Sequence, residues 1–437
     1  MTEHAVAAAS AGAPATAPTP PAPPSVKPPP AEAPPAQQSA QQSAQQSAPP
    51  PAQAPPTGRL IGVDLARGLA VFGMYAAHVG PDPATTGGAR GFLMELAHGR
   101  SSALFAFLAG FSVVLMTGRT PRRGRAGRRA VAKVVVRAVV LLALGTALTM
   151  TGTPVEVILA FYGLYFLLVL PLYRLSARTL AEIAAAAALV LPQLLFLIVR
   201  AVYEDGALGG GSTGPGAWPR TADGLVSLLF TGSYPALTWL PFVVAGMAVA
   251  RLDLTATAVR VRLALTGGGL AVLGYGGSWL ALHHLPGVAR ALDGAGLAHG
   301  TRTAWWSDVA GWPEEDTWGW LFVAAPHSET TLSVVANTGV ALAVLACCLL
   351  AVDALPRLRR AAGPVIAVGS MSLTAYVLHI LAICLLGLEE LPGPSLSVLL
   401  GFVAGVTAFA ALWSRFFRRG PLEWLLWRAT RVADRVP

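Results

Sequence analysis

The chain has 437 residues, 54% of them hydrophobic and 12% charged, with a mean hydropathy of +0.58 and a formal net charge of +9. An average soluble chain is about 25% charged, so a single water-soluble core cannot absorb this much apolar sequence, and lipid must be its second solvent. The basic surplus raises the question of nucleic acid, but its distribution along the chain answers to membrane topology instead, and no nucleic-acid partner is expected.

Residues 1–57 consist of Pro, Ala, Gln and Ser with few large apolar side chains, and they include a threefold QQSA repeat from Gln37 to Ala48. Such a segment buries too little surface to offset its ordering entropy and is expected to be a disordered cytoplasmic tail. It lacks the basic and apolar regions of a signal peptide, so the first apolar helix is expected to serve as an uncleaved insertion signal. From Arg59 onward, apolar stretches alternate with short polar connections. Spans are predicted near 60–79, 101–118, 134–151, 154–173, 180–200, 227–249, 263–282, 329–351, 364–388 and 395–416, each about the length that crosses a 30 Å hydrocarbon core. The predicted fold is all-α: a polytopic membrane protein of about ten transmembrane helices, occupying 58–420. The run PLEWLLWRATRVADR, from Pro421 to Arg435, reads as an interfacial amphipathic helix within a C-terminal segment 421–437.

Charge checks this reading. Of the 31 Lys and Arg, twenty-four fall in the tail and the alternate loops on one side, and six in the loops on the other. The positive-inside rule then places both termini in the cytoplasm. The two long outer loops are roughly 201–226 and 283–328. The second carries Trp305, Trp306, Trp312, Trp318 and Trp320 with His283, His284, His299 and His327. It reads either as a loop lying on the outer membrane surface or as a partly buried lid. Cys347, Cys348 and Cys384 lie in apolar runs without metal-ligand spacing, and no metal site is expected.

Ionisable groups inside spans are costly and mark candidate sites. In GVDLARGLAVFGMYAAHVG, Asp64 and Arg67 are spaced to pair on one helix face, and His78 follows eleven residues later on much the same face. The next span opens AHGRSSALFAFLAG, where His98, Arg100, Ser101 and Ser102 cluster at the outer mouth. A histidine beside hydroxyls and a guanidinium can act as a general base or a nucleophile. In GSMSLTAYVLHILAICLL, Ser372, Tyr376 and His379 form one helical stripe, lining either a hydrated cavity or a hydrogen-bond seam. Glu156, Tyr162, Tyr165 and Asn337 also point inward in this reading. The basic loop Arg119 to Arg137 serves as a topology determinant or a phosphate-binding surface. Gly401 and Gly405 form a GxxxG pair, expected to pack helices closely.

The segments RLIGVDLARGLAVFGMYAAHVG and LAHGRSSALFAFLAG resemble the catalytic domain of heparan-α-glucosaminide N-acetyltransferase. Beyond Arg59 the chain is similar to the bacterial YeiB-like membrane family, a domain of unknown function. FYGLYFLL, GSYPALTWLPFVVAGMAVARLDL, APHSETTLSVVANTG, GSMSLTAYVLH and GPLEWLLWR carry that likeness in order. The resemblance implies a transmembrane acyltransferase fold in which cytoplasmic acyl-CoA, acetyl-CoA in the first instance, donates to an acceptor across the membrane. It matches His98 to the catalytic histidine. His78 stands where those enzymes carry Asn, and Gly99, Arg100 and Ser101 replace aromatic residues that follow the histidine. The expected function is acyl transfer to an extracytoplasmic glycan or other envelope acceptor, with His98 and His78 catalytic. Asp64, Arg67, Arg100, Ser101, Tyr162, Ser372, Tyr376 and His379 are expected to bind donor or acceptor. The alternatives are a transporter or lipid flippase and a non-catalytic scaffold. The expected setting is the bacterial plasma membrane, with the bilayer and a small-molecule or glycan acceptor as partners and a homodimer left open.

Overall fold

The computed structural model describes residues 60–204, 224–297, 300–308, 317–388 and 395–436. The tail expected to be disordered lies outside these residues, as do His299, Trp312 and most of the first long loop. Within them the chain is helical, and a helix underlies each of the ten predicted spans. These are α1 (Ile61–Val79), α2 (Gly88–Glu95), α3 (Arg100–Thr117), α4 (Gly124–Thr149), α5 (Ile158–Leu168), α6 (Ala177–Glu204), α7 (Ala236–Ala250), α8 (Thr257–His284), α9 (Thr331–Ala354), α10 (Gly363–Ser370), α11 (Ser372–Leu385), α12 (Leu396–Phe416) and α13 (Pro421–Thr430).

Length and composition qualify fewer of them as individual crossings. Five segments are long and apolar enough: Gly88–Thr117, which joins α2 to α3, then α4, Ala177–Ala201 in α6, α9 and α12. A sixth is added if α10 and α11, bent by 86° at a short break, count as one. The other helices fall short for readable reasons. Asp64 and Arg67 dilute α1, while α5 and α7 have only 11 and 15 residues. The protein is thus a helical membrane protein.

Local chemistry sets several of these ends. Thr330 caps α9 by accepting from Ser333 N at 3.1 Å, and Ser395 caps α12 by accepting from Val398 N at 3.4 Å. The break at Met371 (φ −129°, ψ 42°) leaves the first turn of α11 without helical acceptors. Glu423 of α13 supplies one: its carboxylate accepts from Leu373 N (2.8 Å), Thr374 N (3.1 Å) and Thr374 Oγ1 (2.6 Å). A carboxylate there also meets the positive end of the helix dipole.

In the core, α3 packs on α7 and α1, α1 on α9 and α10, and α8 along α9. The α3–α7 contact depends on two glycines. A Cβ on Gly110 would strike the Val243 carbonyl, and one on Gly246 would strike that of Phe107, so the two backbones touch directly. The GxxxG pair behaves otherwise than expected. Nothing lies within 4 Å of a Cβ at Gly401 or Gly405, and α12 turns that face outward rather than into a helix contact.

The second long loop is a lid with its own apolar core. Leu282, Val288, Leu292, Leu297, Trp320 and Val323 pack together, with Trp305 and Phe322 against them. Trp318 stays half exposed, so one tryptophan of the run does face outward. This lid closes the end of the bundle where α1 finishes and α3 begins.

Candidate functional site

Between α2 and α3 the chain makes a turn through Leu96 to Gly99. Gly99 has φ 63°, and a Cβ there would come within 2.7 Å of Pro326 Cβ in the lid, so both conformation and space call for glycine. The turn holds His98 under the lid. Arg100, the first residue of α3, is 7% exposed and fastens the arrangement. Its guanidinium donates to the carbonyls of Glu95 (2.9 Å), His98 (3.3 Å) and Trp306, and lies 5.1 Å from the Tyr275 ring centre. The fork geometry of arginine ties the turn, the lid and α8 together.

His98 Nδ1 lies 3.1 Å from Asp308 Oδ2. Glu95, 2% exposed, stands beside them, and its Oε1 accepts from Asp308 N at 3.1 Å. A carboxylate oxygen accepts, so a hydrogen of His98 belongs on Nδ1, and in the neutral ring Nε2 keeps its lone pair. Nε2 is buried and has no hydrogen-bond partner, as is Glu95 Oε2. Asp308 is held below the usual carboxylate range: burial pushes it up, but the hydrogen bond and charge of His98 outweigh that. One ligand atom from each of Glu95, His98 and Asp308 falls within 4.8 Å of the others, a trio small enough to enclose one divalent ion. Two of those groups are already engaged with each other.

A narrow cleft, with room for about one water molecule, runs from Gly99 and Ala103 to Trp239, His327, Glu329 and Asn337. His327 and Glu329 both adopt left-handed backbone, with φ of 56° and 58°. Non-glycine residues pay about 1–3 kcal/mol each for such conformations, which cluster at functional sites. His327 Nδ1 donates to the Ser233 carbonyl at 3.0 Å, which leaves Nε2 as the ring's acceptor in the neutral form. Burial, the largest influence on it, holds this ring below the ordinary histidine value. Glu329 accepts from Trp239 Nε1 at 3.0 Å and from Thr238 Oγ1. Burial nevertheless pushes its carboxyl up to about 7. Asn337 is satisfied internally, donating to Ser333 O and Oγ and accepting from Tyr275 at 3.0 Å. The polar atoms left to a ligand here are therefore mostly acceptors.

The structure distributes the other predicted residues over two ends of the bundle. His78, at the close of α1, lies 3.0 Å from His379 of α11. Ser101 packs its hydroxyl against Gly73 of α1. Tyr162 and Tyr376 flank Phe105, with ring centres at 5.6 and 6.4 Å, forming an aromatic ladder through the interior. Tyr162 donates to Ser102 O at 3.4 Å, and Tyr376 Oη accepts from Ile158 N at 3.2 Å. Asp64 and Arg67 belong to the opposite end, at least roughly 16 Å from His78 along α1. They pair at 3.4 Å, and Arg67 also donates to Ser112 Oγ at 2.7 Å. Ser372 opens α11 at the break, toward that same end.

Sequence reasoning missed Glu95, Asp308 and Glu329. Asp308 lay in the tryptophan-rich loop, where the rings drew attention from it and nothing set it apart from Glu314, Glu315 and Asp316 further along. Glu329 sat inside APHSETT, and nothing in that string announces a left-handed backbone.

The fold and site define a helical membrane protein with an aspartate-backed histidine beneath a lid. Comparison with known families adds the relationship. Residues 59–275 match the family described as heparan-alpha-glucosaminide N-acetyltransferase, catalytic, and residues 298–433 match that described as protein of unknown function (DUF418). The chain is related to both. No curated protein matches it.

Proposed function

We propose that the protein is a membrane acyltransferase that passes an acyl group, acetyl first among candidates, from cytoplasmic acyl-CoA to an acceptor on the other side. The observation that carries this reading is the His98–Asp308 pair, with Nε2 buried and unpartnered one residue before Gly99 of the cleft lining. In the proposed step the acceptor X–H attacks the thioester carbonyl carbon. Its proton goes to His98 Nε2 as the C–X bond forms. The C–S bond then breaks, and the departing thiolate takes that proton to leave as the thiol. Asp308 stabilises the imidazolium that exists in between.

The opposite end supplies features suited to the donor. Arg137 keeps a buried Nε with no hydrogen-bond partner, and its charge lies within reach of Arg67 and Glu423. A guanidinium with an N–H still to donate suits a phosphate. The donor's pantetheine arm would follow the aromatic ladder toward His98, across a core of about 30 Å. This reading puts the lid outside, both termini in the cytoplasm, and the protein in a bacterial plasma membrane. The acceptor-rich cleft suits a donor-bearing acceptor such as a glycan.

Purified protein in nanodiscs with labelled acetyl-CoA tests the proposal. Saturable binding and slow thioester hydrolysis are expected. His98→Ala and Asp308→Asn should lower hydrolysis by about 10²–10⁴-fold with binding retained. Unchanged hydrolysis in His98→Ala would remove that residue from the mechanism. The broken pair α10–α11 favours a second reading, since transporters build substrate paths from interrupted helices. Folded protein that binds no acyl-CoA would shift the assignment to that reading.

A further inference from the structure

The contact between His78 and His379 is edge to edge. Their planes differ by 15° and their centres are 5.3 Å apart. The 3.0 Å Nδ1–Nε2 separation plus the two ring radii accounts for that spacing, so the rings share a plane and an N–H···N bond. Its direction is fixed from behind. His379 Nδ1 faces the Tyr376 carbonyl, which can only accept. The hydrogen of His379 therefore sits on Nδ1, and its Nε2 is an acceptor. His78 must then donate from Nδ1, which leaves its own Nε2 as a lone pair.

The surroundings hold this state. His379 is 1% exposed and wedged between Tyr75 and Tyr376, whose ring centres lie 4.7 and 4.9 Å away. Tyr75 is fixed in turn by donating to Ala375 O at 2.7 Å. His78 is half-buried at the end of α1, near enough to His98 and His327 for their charges to act on it. Among the described residues no hydrogen bond engages His78 Nε2, and no carboxylate pairs with either ring of this couple.

We propose that His78 is a second catalytic residue, a fixed hydrogen-bond acceptor for the incoming acceptor molecule, and that His379 is the positioning residue that fixes it. The proposal rests on the acyl-transfer reading and divides the labour between two imidazoles. His98, backed by a carboxylate, takes the proton. His78, backed by a neutral ring, holds a second X–H of the same acceptor and so aims the attacking lone pair. Acceptors that present two hydrogens together fit this arrangement: water, a primary amine or a pair of neighbouring hydroxyls. His379 thereby acts on the acceptor through His78 rather than by binding the donor.

Two substitutions separate positioning from packing. The amide of His379→Gln can accept from His78 Nδ1 and donate to Tyr376 O, whereas His379→Phe fills the space without either bond. Imidazole ¹⁵N spectra of the full-length protein in nanodiscs, assigned with His78→Gln, should show His78 protonated at Nδ1 in the wild type and in His379→Gln. In His379→Phe the hydrogen should move, wholly or in part, to Nε2. Acetyl-CoA hydrolysis, with water as the acceptor, should fall about tenfold or more in His379→Phe and stay within about threefold in His379→Gln. An Nε2–H tautomer in the wild type would overturn the proposal, and so would equal losses in both variants. Wild-type protein without any acyl transfer would instead sink the acyl-transfer reading, while the spectra would still judge the His379 lock by itself.

Discussion

Glu329 joins a left-handed backbone to a buried carboxyl held by an indole and a hydroxyl. Its folded value of about 7 stands above the ordinary 4.5. For an acid raised in this way, the folded state binds the extra proton. Its stabilising contribution is complete below the unfolded value and is lost as pH rises to the folded one. Thermal unfolding in detergent should therefore show Glu329→Gln gaining on wild type from about pH 4.5 to about pH 7, then holding a constant lead. The gain expected is of the order of 1–3 kcal/mol, because Gln can keep the bond from Trp239 and still meet Thr238. A pH-independent difference between the two proteins would mean that Glu329 is ionised throughout. The same scale explains what the sequence disclosed. His98 could be read because a histidine, an arginine and two serines open one apolar span together. Asp308 could not, because 210 residues separate it from His98 and only the folded lid joins them. The tautomer of His78 was equally out of reach, since it depends on a carbonyl of another helix.

Helices were legible wherever composition alone decides them. Ten apolar intervals gave ten helical regions; the starts lie within two residues of expectation where Thr330 and Ser395 cap them, while α4 begins ten residues earlier and α7 nine later. The stretch 364–388 read as one span because its hydropathy is continuous, yet the chain breaks at Met371. Hydropathy carries no record of a helix whose first turn is capped from fifty residues downstream. Glu423→Ala should accordingly loosen α11 more than an ordinary surface change would. Loss of a cap costs about 0.5–2 kcal/mol, and the buried amides of Leu373 and Thr374 add to it. Hydrogen exchange on the Ser372–Leu385 segment would register this as faster exchange in its first turn, with α9 unaffected. Equal protection would mean that water replaces the carboxylate. The GxxxG pair gives the opposite lesson: Gly401 and Gly405 have the spacing of a contact, but no helix approaches that face.

At the scale of the molecule, the two family matches divide the site between them. His78 and His98 fall in the first matched segment, and Asp308, His327, Glu329 and His379 in the second. The charge bias of the loops predicts which end faces which compartment. Single cysteines at Gly294 in the lid and Arg125 in the first turn of α4, both exposed, would test it in a background lacking Cys347, Cys348 and Cys384. A membrane-impermeant maleimide applied to intact cells should label position 294 and spare position 125 until the cells are lysed. The reverse pattern would invert the proposed orientation and put His98 at the cytoplasmic end.

The pairing of His98 with an acid 210 positions later also has a consequence for synthesis. At about 5–20 residues per second, the histidine waits some 10–40 s before its aspartate is made, and longer for the residue that caps α11. A ribosome-bound chain can therefore have inserted its first helices while its chemistry is still switched off. Under the proposed mechanism activity arrives only once Asp308 and the residues after it are made, so early termination would yield an inert membrane protein rather than an unregulated one.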